Sequence, residues 1–383
     1  MSDSRITHGG NLHEAARRYG RPYDTWLDLS TGINPVGYPV PPVPADAWRR
    51  LPDDGDGLAA CAARYYGAPD DAHVLPVAGS QAAIRALPAL LPTGEAGVAA
   101  LAYGEYAPAF ARHGHRIETL DIATDTLPAT LRHVIVGNPN NPTAERIAPG
   151  RLLDWHAQLA ARGGTLIVDE AFADTGVCDS LAAHAARPGL IVLRSVGKFF
   201  GLAGIRAGFV LACPALIDSL RDTLGAWTVG GPARHAVAAA FTDRAWQATA
   251  RARLVRDSAR LAALLRAHGF ATHATPLFGW TFDPRAAALH AALAERGIWT
   301  RYFAKPSSVR VGLPGNETEW TRLSEALAAC VALLQGEGRL VSLGTACHVR
   351  HCSPSASPFR RMPPSAHAMT TATPLRSPRL RSG

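Results

Sequence analysis

A chain of 383 residues that is 47% hydrophobic and 18% charged can bury a large core, which excludes disorder of the whole chain. Its net charge of +8 is uneven, because residues 337–383 hold seven arginines against Glu337 alone. The body is therefore near neutral and has no basic stripe for nucleic acid; with no run of about eighteen apolar residues and a polar start, MSDSRITHGGN, neither a transmembrane helix nor a secretory signal is expected.

LHEAARRY (12–19) predicts a short helix stopped by Gly20, and the segment WLDLSTGINPVGYP after it is extended and irregular. Residues 37–57 read as a loop, and LAACAARYY (58–66) as a helix capped by Gly67. The strand VLPVAG (74–79) leads into the helix SQAAIRALPALL (80–91). Further strands are GVAALA (97–102), HVIVGNPNNPT (133–143, running into a turn), TLIVDEAF (165–172), LIVLRSV (190–196) and AGFVLAC (207–213), with a helix over 152–162. Continuous apolar runs of this kind belong to strands buried on both faces. The fold class expected is α/β, a large domain with a mostly parallel sheet between helices. From 214 the pattern changes to helices (214–225, 232–267), a strand (277–282), a helix (285–296), a strand (308–313) and a helix (317–335) with Asn316 and Glu319 as its cap. This predicts a smaller C-terminal α+β domain. The divisions expected are an N-terminal arm over 1–45, a large domain over 46–230, a long helix and small domain over 231–336, and a disordered tail over 337–383.

The chain has 37 arginines but only two lysines, Lys198 and Lys305, so a persisting lysine draws attention as a nucleophilic amine. Lys198 lies in a Gly-bounded loop, three residues after Ser195 and eight before Arg206. Asp169 and Glu170 end a strand, where ligands of α/β sheets sit. Gly79, Ser80 and Gln81 open a helix, a ready anion site. Asn138, Asn140 and Asn141 occupy a turn after a strand, and Tyr103 follows another strand. An amine for a Schiff base, a carboxylate for a protonated ring nitrogen, donors for a phosphate and an aromatic for a ring face together describe pyridoxal 5′-phosphate. Lys305 reads as a solvated charge, and Glu105 and Tyr106 as structural. Trp26, Trp155 and Trp227 read as core or interface. Six scattered cysteines without a C-x-x-C pair fit a reducing cytoplasm and no metal site.

The order D-E-A-F, then S-x-x-K, then G-L-A-G-x-R-x-G resembles the fold-type I pyridoxal-phosphate-dependent transferases, in the histidinol-phosphate aminotransferase-like branch. HGGNLHEAARRYG and WLDLSTGINPVGYP resemble the threonine-phosphate decarboxylases of cobalamin biosynthesis, over about residues 5–335. The resemblance implies a homodimer that binds pyridoxal 5′-phosphate. It implies decarboxylation of L-threonine O-3-phosphate to (R)-1-amino-2-propanol O-2-phosphate. Lys198 would join the cofactor aldehyde, and Asp169 would hold its ring nitrogen protonated. Asn141 would bond the phenolic oxygen and Tyr103 would stack on the ring. Gly79, Ser80, Gln81, Ser195 and Arg206 would hold the phosphate. Arg310 would take the substrate carboxylate, with His8, Gly9, Gly32, Asn141 and Arg301 completing the substrate pocket. Three positions depart from the pattern: Leu51 for a tyrosine that reaches the partner's cofactor phosphate, Phe172 for Tyr, and Ala144 for the Gly of N-P-T-G. An aminotransferase acting on histidinol phosphate or a related amine would use the same cofactor residues. A non-catalytic subunit assisting corrinoid amidation is the other alternative. The HGGN and STGINP segments favour the decarboxylase, and intact Lys198, Asp169 and Arg310 argue against a dead site.

Overall fold

The computed structural model describes the backbone of residues 8–176 and 179–346, with side-chain surroundings up to residue 333. Residues 1–337 form one compact unit; of the second, 338–383, only the stretch to Ala346 is described, and it is helical. The rest of the arginine-rich tail lies outside the described residues. The chain opens with a helix, Leu12–Tyr19, started by the Asn11 side chain accepting from the Glu14 amide and ended by left-handed Gly20. A short strand β1 (Leu27–Asp28) follows.

Seven strands then build the main sheet: β2 (Val74–Val77), β3 (Glu95–Ala99), β4 (Arg116–Leu120), β5 (Leu131–Gly137), β6 (Thr165–Asp169), β7 (Leu190–Ser195) and β8 (Gly208–Leu211). Their order is β2-β8-β7-β6-β5-β3-β4, parallel throughout except for β8, which runs antiparallel to both neighbours. The continuous apolar runs have a direct cause. Val134, Val136, Leu166, Val168 and Val192 point to one face, against Trp155 of the helix Pro149–Ala160. Ile135, Ile167, Ile191 and Leu193 point to the other, against Ile84, Leu87, Phe110, Ile217 and Leu220. Register aligns Gly137 with Asp169 and Asp169 with Leu193, so three strands present their C-terminal ends along one edge.

The C-terminal part carries β9 (Thr272–Thr275), β10 (Phe278–Phe282), β11 (Ile298–Trp299), β12 (Arg301–Ala304) and β13 (Ser307–Gly312). Four of these form an antiparallel sheet in the order β12-β13-β10-β9, while β11 pairs in parallel with β1. Helices Arg244–Ala267 and Ala286–Glu295 pack against it. The single helix expected over 232–267 is two, Gly231–Thr242 and Arg244–Ala267. Asp243 leaves helical geometry at ψ 78°, and its carboxylate accepts from the Trp246 amide to start the second. Asn316 and Glu319 do cap the last helix: Asn316 Oδ1 accepts from the Glu319 amide at 3.0 Å, and Glu319 Oε2 from the Gly315 amide at 2.6 Å. That helix runs on to Ala346. The helix Tyr106–Arg112 and strands β4, β9, β11 and β12 had no expectation from the sequence.

Candidate active site

The aligned strand ends open onto a cleft that holds about 650 Å³ of space, part of it open solvent. Gly79, Ser80, Gln81, Tyr103, Asn141, Asp169, Ser195, Lys198 and Arg206 all line it. Gly79 turns the chain from β2 into the helix Ser80–Leu90 at φ 76°, a left-handed value. A Cβ there would stand 2.7 Å from Arg206 Nη2, so only glycine lets the guanidinium lie over the helix start. The Ser195 backbone pairs with Gly208, the strand residue two after Arg206. Main-chain donors, a hydroxyl and a guanidinium thus converge where an anion would be held.

Asp169 is buried at the end of β6. Tyr106 Oη donates to its Oδ2 at 2.8 Å, and the Ala171 amide to its Oδ1 at 3.1 Å. Burial still raises its pKa, against these two bonds and the Lys198 charge. A carboxylate in this setting stabilises a cation placed beside it. Lys198 shows the complementary effect: its amine is pushed down to about 8, first by burial and then by Arg310, with Asp169 opposing. At neutral pH a useful fraction is the free amine, the nucleophilic form. Tyr103 Oη donates to Gln81 Oε1 at 3.0 Å, and its ring meets Tyr106 edge-on at 5.5 Å. Phe172 lies 5.8 Å from the Lys198 amine, ring centroid to Nζ, and has no hydroxyl to offer it.

A second cavity adjoins the first and shares Tyr103, Asn141 and Lys198 with it. It is lined by His8, Gly9, Gly32, Arg301 and Arg310, so every substrate residue expected from the sequence meets here. Arg310 on β13 stands directly opposite Arg301 on β12. Its Nη1 donates to Asn141 Oδ1, its Nη2 to the Ser30 carbonyl, and its buried Nε has no partner. Burial and Arg301 push its pKa down to about 10. Like charges facing across strands destabilise a sheet, and an anion placed between them would relieve that repulsion. Gly32 is needed on steric grounds: a Cβ would approach the Phe278 ring to 2.8 Å and the Phe172 ring to 2.9 Å.

Several residues that the sequence reading did not assign to the site, among them Glu105 and Tyr106, which it read as structural, support it. Tyr106 bonds Asp169 directly, and buried Glu105 accepts from or bonds His8 Nε2 at 2.8 Å, tying the N-terminal segment across the cleft. Ser30 Oγ accepts from the Gly10 amide, and its carbonyl holds Arg310. Asn34 joins the STGINP loop to the lysine loop: its amide donates to the Lys198 carbonyl and its Nδ2 to the Phe199 carbonyl. Each contact bridges distant stretches of chain, so no local pattern announces it. Trp26 and Trp155 are buried as expected, whereas Trp227 is exposed. Cys61, Cys213 and Cys330 are free thiols, and no cluster of metal ligands occurs among the described residues. No helix among them is long and apolar enough to cross a membrane.

Residues 55–327 match the family model for aminotransferase class I and II. The chain is 51% identical to threonine-phosphate decarboxylase of Pseudomonas aeruginosa, over 84% of this chain and 97% of that protein. It is 44% identical to threonine-phosphate decarboxylase of a Sinorhizobium species, over 84% and 98%. Histidinol-phosphate aminotransferase of Gluconacetobacter diazotrophicus is 31% identical over 45% of this chain and 50% of that protein. Among solved structures, histidinol-phosphate aminotransferase of Sinorhizobium meliloti in complex with pyridoxal 5′-phosphate superposes with a TM-score of 0.73 at 20% identity, covering 87% of this chain and all of that one, a likeness of fold.

Proposed function

The chain belongs to the aminotransferase class I and II family, and we propose that it is the pyridoxal-phosphate-dependent decarboxylase that converts L-threonine O-3-phosphate to (R)-1-amino-2-propanol O-2-phosphate and carbon dioxide for cobalamin biosynthesis. The observation that carries this reading is 51% identity to a threonine-phosphate decarboxylase across nearly its whole length, whereas the histidinol-phosphate aminotransferase matches over half.

The residues present fit the cofactor. Asp169 is a buried carboxylate whose pKa burial raises even beside Lys198, so it would stabilise a further cation next to it, which suits the ring nitrogen. Asn141 would serve the phenolic oxygen and Tyr103 the ring face. The start of the helix Ser80–Leu90, with Ser195 and Arg206, would hold the phosphate, in a cradle that a Cβ at Gly79 would fill. Pyridoxal phosphate, when bound, supplies an aldehyde for the substrate amine and a ring that accepts the electron pair of the breaking Cα–carboxylate bond. The chain supplies the rest. Lys198 Nζ, at about 8, can take up and return a proton near neutral pH, including the one that replaces the carboxylate at Cα. Arg310 and Arg301 would clamp the carboxylate and the phosphate, fixing which Cα bond is aligned for cleavage. His8, Gly9 and Gly32 would close the mouth over them.

In this reading the protein acts in the cytoplasm as a homodimer. Exposed Trp48 and Leu51, three residues apart in the chain, support a partner there, as burying them would remove apolar area from water. Leu51 does not line the cofactor cleft of its own chain. The test is incubation of the holoprotein with L-threonine O-3-phosphate and no 2-oxoacid. Repeated turnover with carbon dioxide release is the expected result. A single turnover that stalls until an oxoacid is added would make it an aminotransferase.

A further inference from the structure

A third cavity opens outward from the substrate cavity, between the helix Leu12–Tyr19 and strand β12. It shares His8, Arg301 and Phe303 with the inner cavity, so the two adjoin across these side chains. Trp299, Tyr302 and His290 form its wall, and Arg18 and Lys305 stand exposed on its rim. Among the described residues neither rim cation has a carboxylate within ion-pair distance. Glu14 is the single acid in the lining, and its Oε2 is engaged by Asn11 Nδ2 at 2.8 Å. His290 is pushed down to about 4, first by burial and then by Arg18 and Arg301. Lys305, one of two lysines in the chain, is exposed as expected of a solvated charge and stands on this rim.

We propose that this outer cavity is an anion-capture site, in which Arg18 and Lys305 take a phosphomonoester dianion from solvent and pass it by His8 to Arg301; the choice of ligand rests on the function proposed above. Exposed cations add little to the affinity of a bound state. Cations ringing a low-dielectric cleft instead raise association rates by ~10–10³, an effect that salt suppresses. The outer pair should therefore govern arrival and leave the chemical step alone.

The test uses holoenzyme bearing Arg18→Gln, Lys305→Gln and both. Association of O-phospho-L-threonine is followed through the cofactor absorbance in stopped flow, from low salt to about 0.3 M. The double variant should associate about tenfold more slowly at low salt, converge on the wild type at high salt, and keep its kcat. Equal association rates and equal salt dependence would overturn the proposal. If the wild type neither responds to nor turns over this substrate, the function reading fails, and association of inorganic phosphate with holoenzyme, followed by tryptophan fluorescence in stopped flow, decides the site on its own. Slower association of the double variant at low salt supports it, and equal rates overturn it.

Discussion

Arg194 and Arg310 are both buried strand residues with an unpartnered Nε, and the molecule treats their charges in opposite ways. Arg194 on β7 donates to Glu170 and to Asp174, and its guanidinium lies 4.4 Å from the Tyr66 ring centroid. Those two carboxylates raise its pKa despite burial. Arg310 on β13 faces another arginine and is held by an amide oxygen and a carbonyl, and its pKa falls. A guanidinium balanced by carboxylates locks the D-E-A-F turn beneath the cofactor cleft. A guanidinium left short of negative charge keeps its electrostatic energy for a ligand.

The contrast is sharpest when each arginine is replaced by methionine. Arg194→Met leaves Glu170 and Asp174 buried without a counter-charge, and should cost about 3–5 kcal/mol in urea unfolding. Arg310→Met removes an unmatched cation, so stability should hold or rise, while kcat/KM for threonine phosphate should fall ~10²–10³-fold. Equal losses of stability in the two variants would erase the distinction.

Lys198 reports the same imbalance through pH. Only its neutral amine condenses with an aldehyde, so the rate of cofactor uptake by apoprotein should rise with pH through a midpoint near 8, the value to which burial and Arg310 bring it. Arg310→Met should move that midpoint upward, because a nearby cation disfavours the charged amine. A wild-type midpoint near ~10.4, the ordinary lysine value, would mean that neither burial nor Arg310 acts on it.

The cofactor side of this contrast was legible in the sequence and the charge imbalance was not. Asp169, Lys198 and Arg206 sit in short segments whose spacing is itself the signal, and buried parallel strands write themselves as apolar runs. Arg301 and Arg310 were both found, but that they face each other depends on the register of β12 and β13, and β12 was not foreseen. Tyr106 was read as structural because its partner, Asp169, is 63 residues away and its helix is only seven residues long. Glu105 and His8 are separated by 97 residues. The break at Asp243 was hidden because alanine, leucine and arginine continue the helical composition on both sides, and only the cap marks it.

The smallest effect concerns the backbone beside Arg310's partner. Ala144 follows the Asn141-Pro142-Thr143 turn with φ 64°, a left-handed value that favours glycine. The left-handed region costs an alanine roughly 1–2 kcal/mol. Ala144→Gly removes that strain, but it also frees the unfolded chain by about 0.4–1 kcal/mol and deletes a buried methyl from the core. These terms nearly cancel, so thermal unfolding should change by less than about 1 kcal/mol, with a small gain expected. Asn140 and Thr143 fix the turn through their own hydrogen bond at 2.7 Å, so Asn141 should keep its hold on Arg310 and turnover should be unchanged. A fall in kcat/KM without loss of stability would instead mean that the alanine sets the position of Asn141, placing backbone strain, beside charge imbalance, among the features kept for the ligand.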